Sequence, residues 1–134
     1  MSLESALAVT QRTVPECVSA GLVDMKTGML LAVKNVTTYS QDILDMVAAA
    51  TGDLFQGQNV TMIEQMFRKH RGAKEDGRHY FQEIIVLSDN FLHVFVRCKR
   101  NEDLVLVTIA RNTANLGMVI AKTRASVAGV EAAV

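Results

Sequence analysis

The sequence predicts an α+β fold: a five-stranded, largely antiparallel sheet with helices on both faces, in the order α-β-β-α-β-β-β-α. Three observations carry that prediction. Five β-rich runs occur, and all but one of the connections between them are short turn-forming segments, which makes consecutive antiparallel pairing the natural arrangement. The exception is a long crossover with apolar residues at helical spacing. Both ends of the chain show the same three-and-four periodicity and close the order as helices.

Leu3, Ala6 and Leu7 share one side of a first helix over residues 3–12, which must stop before Pro15 because proline disfavours helical geometry at Val14. Cys17 to Val23 and Met29 to Val36 read as a hairpin, with Asp24 opening its turn and Gly28 closing it where positive φ is needed. Ser40 is placed to cap the next helix, with Asp42 in its first turn and Ile43, Met46, Val47, Ala50 and Leu54 forming a single stripe expected to be buried. A second helical stretch starts near Thr61, where Thr61-Met-Ile-Glu64 matches a capping box, and ends in Arg68-Lys-His-Arg71. Gly52 and Gly57 allow one kinked helix or two consecutive ones. Gly72 to Arg78 is a polar, glycine-bracketed loop, expected to be mobile. His79 to Leu87, Phe91 to Cys98 and Leu104 to Arg111 then form a meander. Its middle strand alternates Leu92, Val94, Val96 and Cys98 on one face with Phe91, His93, Phe95 and Arg97 on the other. Thr113 to Val134 is the last helix, with Leu116, Val119, Ile120, Thr123, Val127 and Val130 on its apolar face.

The 134 residues suit a single domain over 1–134, long enough to hold itself together by a hydrophobic core. Fourteen basic residues balance fourteen acidic ones, yet residues 1–67 hold three bases and seven acids, and residues 68–134 eleven bases and seven acids, so the halves are −4 and +4. Such a dipolar chain suits self-pairing or a partner of mixed charge and lacks the global basic field of a nucleic-acid binder. No apolar run approaches the roughly 18 residues of a spanning helix, so no membrane insertion is expected. The start MSLESALAVTQR does not have the pattern of a secretory signal, and Cys17 and Cys98 form no CxxC pair, so the expectation is a soluble cytoplasmic protein with reduced thiols.

Motifs for phosphate cradles, serine hydrolases, zincins and EF-hands are absent, and His70, His79 and His93 show no ligand spacing. Neither an enzyme, a metal nor a cofactor is therefore expected. Cys17 and Cys98 fall inside apolar strand patterns, as buried thiols do, although Arg97, Lys99 and Arg100 give Cys98 a weakly electropositive neighbourhood. Glu75-Asp76 and Glu102-Asp103 read as solvated turn carboxylates. Two features exceed that background. Arg68, Lys69, Arg71, Lys74 and Arg78 form a basic stretch that suits an acidic protein patch; with only Tyr80 and Phe81 nearby and no Trp, nucleic acid is not expected as a partner. Met46, Met62 and Met66 lie in a central region with apolar residues on more than one side, a surplus that suggests a protein contact, most simply with a second copy of the chain.

Ser19-Ala-Gly-Leu-Val-Asp24 followed by Gly28-Met-Leu-Leu-Ala32, and Ala114-Asn-Leu-Gly-Met-Val119 with the later Arg124, resemble the first hairpin and the last helix of the Roadblock/dynein light-chain family, of profilin-like fold. The resemblance runs from about Leu3 to Val130. The Asp24–Gly28 turn is a residue longer than the usual one, and the central helical region is longer than average. The resemblance implies a non-catalytic scaffold that dimerises by joining the edge strand after the central helix to its twin, here His79 to Leu87. Tyr80, Phe81, Glu83 and Ile85, with Met46, Met62 and Met66, are the expected dimer interface; Arg68, Lys69, Arg71 and Lys74 are the expected partner-binding residues. Prokaryotic relatives commonly regulate small Ras-like GTPases, and eukaryotic ones serve dynein or lysosomal signalling assemblies, so a GTPase is the expected partner, with Arg68 and Arg71 as candidates for a positive charge near its γ-phosphate. The alternative is a small-molecule sensory module on a profilin-like or PAS-like sheet, with a pocket lined by Phe91, His93 and Phe95.

Overall fold

The computed structural model describes residues 1–72 and 79–134, so the segment expected to be mobile lies, apart from Gly72, outside the described residues. The elements are α1 (Leu3–Thr13), β1 (Cys17–Asp24), β2 (Met29–Asn35), α2 (Gln41–Gln56), α3 (Gln58–His70), β3 (Glu83–Leu87), β4 (Phe91–Arg97), β5 (Leu104–Arg111) and α4 (Leu116–Ala132). All strand pairs are antiparallel, and the sheet order is β2-β1-β5-β4-β3. The predicted α+β architecture is present.

Local chemistry sets the boundaries. Ser2, Ser40 and Asn115 accept hydrogen bonds from the amides of Ser5, Ile43 and Met118 and so start α1, α2 and α4. In the first hairpin the Asp24 carboxylate accepts from the Lys26 amide at 3.0 Å, and Gly28 sits at φ +75°, where a side chain would be strained. The central region is two helices: at Gly57 an added Cβ would lie 2.7 Å from the Asp53 carbonyl oxygen, so the break between α2 and α3 requires glycine. α3 begins at Gln58 and has no side-chain cap, so the capping box expected at Thr61 does not form.

The sheet has a core on each face, as two helix layers require. Leu7 of α1 and Val119, Val127 and Val130 of α4 pack on Leu22, Val94, Val96 and Leu106. Within that layer the buried hydroxyls of Thr108 and Thr123 satisfy each other at 2.7 Å. On the opposite face, Ala48 and Phe55 of α2 pack on Val23, Phe95, Val105 and Val107.

A second sequence expectation is overturned in α2. The stripe of Ile43, Met46, Val47, Ala50 and Leu54 is not buried as a unit: Met46 is 70% exposed, and α2 turns Ala48, Thr51 and Phe55 to the sheet instead. Small residues let the helix approach closely and Phe55 supplies the anchor, which leaves Met46 facing outward and the other stripe residues partly exposed.

Candidate functional site

The site is built around the outer margin of β3, which no described strand pairs. The Gln82 carbonyl accepts from the Arg97 amide and the Ser88 amide donates to the Phe91 carbonyl, so residues 82, 84, 86 and 88 direct their backbone groups at β4. By alternation the N–H and C=O of Glu83, Ile85 and Leu87 point outward, at the edge of the sheet. Ile85, Val86 and Leu87 are exposed, Leu87 at 64%. The opposite edge is better guarded: β2 bulges at Leu31, between the Leu22–Ala32 and Val23–Leu30 pairs, and carries exposed Lys34. Neither device interrupts β3 from Ile84 to Leu87.

The second component is apolar. Met46 is exposed on α2, and Met62, Ile63, Met66 and Phe67 are exposed along α3, with Met66 at 67%. Ile63, Met66, Phe67 and His70 enclose a shallow hollow. Phe67 stacks on Tyr80 with ring centroids 5.7 Å apart, and Tyr80 meets Phe81 edge-on, so the aromatic lead-in to β3 adjoins this helix. α3 carries Glu64 as its buried residue, an inversion of the usual amphipathic arrangement.

Glu64 explains how the two components are joined. Its carboxylate accepts from the Tyr80 and Phe81 amides at 2.6 and 2.9 Å, which binds α3 to the segment entering β3. Beside it lies Arg97, fully buried on β4. Arg97 donates from Nε to the Phe81 carbonyl at 2.7 Å, from Nη1 to the Glu102 carbonyl at 2.7 Å and from Nη2 to the Phe55 carbonyl at 3.3 Å, with its guanidinium 4.8 Å over the Phe55 ring. Burial pushes its pKa down, opposed by the charges of Glu64, Glu102 and Asp103. One side chain thus ties the end of α2, the lead-in to β3 and the β4–β5 turn together.

The predicted interface residues do not share one face. Glu83 and Ile85 project to the α4 side of the sheet, opposite Val96 and Val94, whereas the three methionines lie on α2 and α3. Glu83 is held by Arg124 of α4 through Nε and Nη2 contacts of 2.6–3.0 Å, which push the Arg124 pKa up. The predicted partner-binding residues Arg68 and Lys69 fall in the last turn of α3, with Arg71 at its C-cap, near enough for a 3.5 Å contact with the Tyr80 hydroxyl. Lys74 lies outside the described residues.

Two carboxylates have structural work that sequence reasoning missed. Glu102, expected to be solvated, accepts from the His79 amide and from Gln82 Nε2, both at 3.1 Å. Glu131 of α4, unremarkable in the sequence, accepts from the Lys99, Arg100 and Asn101 amides at 2.8–3.2 Å and fixes the same β4–β5 turn. The cysteines are free and buried. Burial and the Glu131 charge push Cys98 up to about 12, and burial raises Cys17, so neither is an activated thiol. Among the described residues no cluster of three metal-ligating side chains occurs, and no helix is long and apolar enough to cross a membrane. Phe91 and His93, two of the three residues expected to line a pocket, do line a cavity between α2 and the sheet, while Phe95 is packed into the core against Phe55.

Solved structures share this architecture. The Roadblock/LC7 domain from Streptomyces avermitilis superposes with a TM-score of 0.70 at 18% identity, covering 98% of this chain and 97% of that one. The gliding protein MglB from Thermus thermophilus gives 0.68 at 23%, covering 98% and 84%. A structure described as MglB with tetrameric arrangement gives 0.71 at 22%, covering 98% and 90%. The fold is that of the Roadblock/LC7 domain. No family model and no curated protein sequence matches the chain.

Proposed function

We propose that this chain is a non-catalytic scaffold that works as a homodimer and binds a small Ras-like GTPase. The observation that carries the reading is the pairing of an unguarded edge strand with an adjoining surplus of exposed apolar side chains. An edge with three outward N–H and C=O sets invites a further strand, and a second copy satisfies it under two-fold symmetry with an identical strand. Met46, Met62 and Met66 supply adaptable apolar surface for the same assembly. A neighbour in fold described as tetrameric supports self-association of this architecture. Tyr80 and Phe81 lead into the joining strand, Glu83 and Ile85 lie on it, and Arg68, Lys69 and Arg71 form the basic end that would receive the GTPase, with Lys74 following them in the sequence.

The decisive test is Ile85→Pro. Its amide points away from β4, so proline removes an outward donor without removing a bond of the ladder. The wild type is expected to run as a dimer in light scattering and the variant as a folded monomer by circular dichroism. A wild type that is monomeric throughout the micromolar range, or a variant that remains dimeric, sinks the edge-strand assembly. For the partner, purified Ras-like GTPases loaded with GDP or a non-hydrolysable GTP analogue should bind in a nucleotide-dependent way, and reversing charge at Lys69 and Arg71 should weaken that binding.

A further inference from the structure

The cavity between α2 and the sheet takes no part in the edge or the basic end. It has a volume of about 230 Å³. Its floor comes from β1, β2, β4 and β5, its roof from Leu44 and Val47 of α2, and the more exposed Tyr39 and Ile43 mark its mouth. It exists because α2 anchors at Ala48, Thr51 and Phe55, in its middle and second half, leaving the first two turns standing off the strands.

Three observations define what fits there. Among the described residues, no charged side chain lines the cavity. Two of the lining polar side chains have partners within the fold: Ser19 donates to Asn35, and the His93 ring nitrogen meets the Ser88 hydroxyl at 2.9 Å, while Tyr39 lies at the exposed mouth. Burial lowers the His93 pKa, which favours the neutral ring. The third observation is Gly21 in the middle of β1. Its φ is not positive, so the backbone does not demand glycine there. An added Cβ would meet Leu30 Cδ1 at 3.3 Å, the Ala32 carbonyl oxygen at 3.4 Å and Val33 Cγ2 at 3.5 Å, so a side chain here would press on two residues that line the cavity. A strand-interior glycine of that kind marks a place where something else approaches the backbone.

We infer that this cavity is a binding site for a small uncharged apolar molecule of the size of a monocyclic aromatic or a short alkyl chain. An apolar cavity of about 150 Å³ stays dry and takes benzene, and this one is larger. A predominantly apolar lining in which no described charged side chain takes part gives an ionised ligand little to replace its water. The inference is independent of the assembly reading, since the lining comes from a single copy.

The test is a methyl-resolved NMR titration of the full chain with toluene and, separately, with benzoate as its charged counterpart. Toluene should shift the methyls of Leu44, Val47, Val107 and Ile109 saturably and benzoate should not. Leu44→Trp, which fills the roof, should weaken toluene binding by about tenfold or more. Should that variant not fold, Gly21→Ala encroaches on the floor and should also weaken it. Silence of those methyls up to the aqueous solubility of toluene, an equal response to benzoate, or shifts centred on Met46, Met62 and Met66 would overturn the assignment. So would a response that appears only on dilution, which would mean that a second copy fills the cavity, or an unchanged affinity in the folded variants.

Discussion

Removing the Arg97 guanidinium should be among the most destabilising single changes available to this chain. Arg97→Ala removes the guanidinium donor to the carbonyls of Phe55, Phe81 and Glu102 and opens a void beneath Phe55. A hydrogen bond to a charged group is worth about 1.5–3 kcal/mol. Of the three acceptor residues only Phe55 is fully buried, whereas Phe81 and Glu102 are partly exposed, so water can replace two of the bonds. Counting one full loss, two partial ones and the cavity gives about 4 kcal/mol, a large share of the roughly 5–15 kcal/mol that holds a typical domain. Arg97→Lys keeps the charge but cannot span three divergent acceptors, so about half the loss should persist. Urea denaturation at one fixed protein concentration reads both values as a lower midpoint at constant slope. A cost below about 1 kcal/mol for Arg97→Ala would refute the pin, because losing the charged donor to the buried Phe55 residue together with the packing beneath its ring cannot be that cheap.

Glu64→Ala should release the lead-in to β3 and speed amide exchange at Tyr80 and Phe81, with Glu64→Gln restoring much of the protection through its remaining acceptor oxygen. Cys98 makes the fold sensitive to alkali. Its thiol titrates at about 12 when folded against 9.0 as a free group, so between those values the native state keeps a proton that the unfolded state has lost. Its contribution to stability therefore falls as pH rises through that window, by about 1.4 kcal/mol per pH unit, and Cys98→Ala should show a flatter alkaline limb in the same denaturation assay. Arg124→Ala, by contrast, should leave stability nearly unchanged, because its Glu83 ion pair is solvent-exposed; a loss of more than about 1 kcal/mol would show that the pair does more than tidy the α4 side of β3.

Sequence reading located what local chemistry decides. Ser40 and the Asp24–Gly28 turn act through neighbours two to four residues away, and the alternation of Leu92, Val94 and Val96 faces a single core. What it misplaced was the rotation of α2. Periodicity shows that Ile43, Met46 and Val47 lie together, but burial of Ala48, Thr51 and Phe55 depends on how closely the helix can approach the sheet, which apolarity does not report. The buried charges were illegible for a different reason. Glu64 meets partners 16 and 17 residues away, Arg97 one 42 away, and Glu131 three turn amides 30 to 32 away, and no spacing rule links such positions. The cavity floor did have a signal in Gly21, a glycine in the middle of a strand.

The magnitudes also show why an edge strand alone would not assemble this molecule. Two copies of β3 aligned antiparallel bring the outward groups of Glu83, Ile85 and Leu87 together in roughly six hydrogen bonds, each with a net worth of about 0.5–1.5 kcal/mol. Association costs about 4–15 kcal/mol in lost freedom, so backbone pairing by itself comes out near balance. Apolar burial has to decide the matter, at about 25 cal/mol for each Å² removed from water. The exposed side chains near the margin, Leu87 on the strand and Met62, Met66 and Phe67 on the helix that Glu64 ties to its lead-in, are what the chain offers for that purpose. A Met62→Ser, Met66→Ser double variant should therefore weaken a dimer by about tenfold or more, that is by about 1.4 kcal/mol or more, with β3 itself untouched. Sedimentation equilibrium measures that constant directly, and a dimer as tight as the wild type would mean that the methionine face serves a different partner.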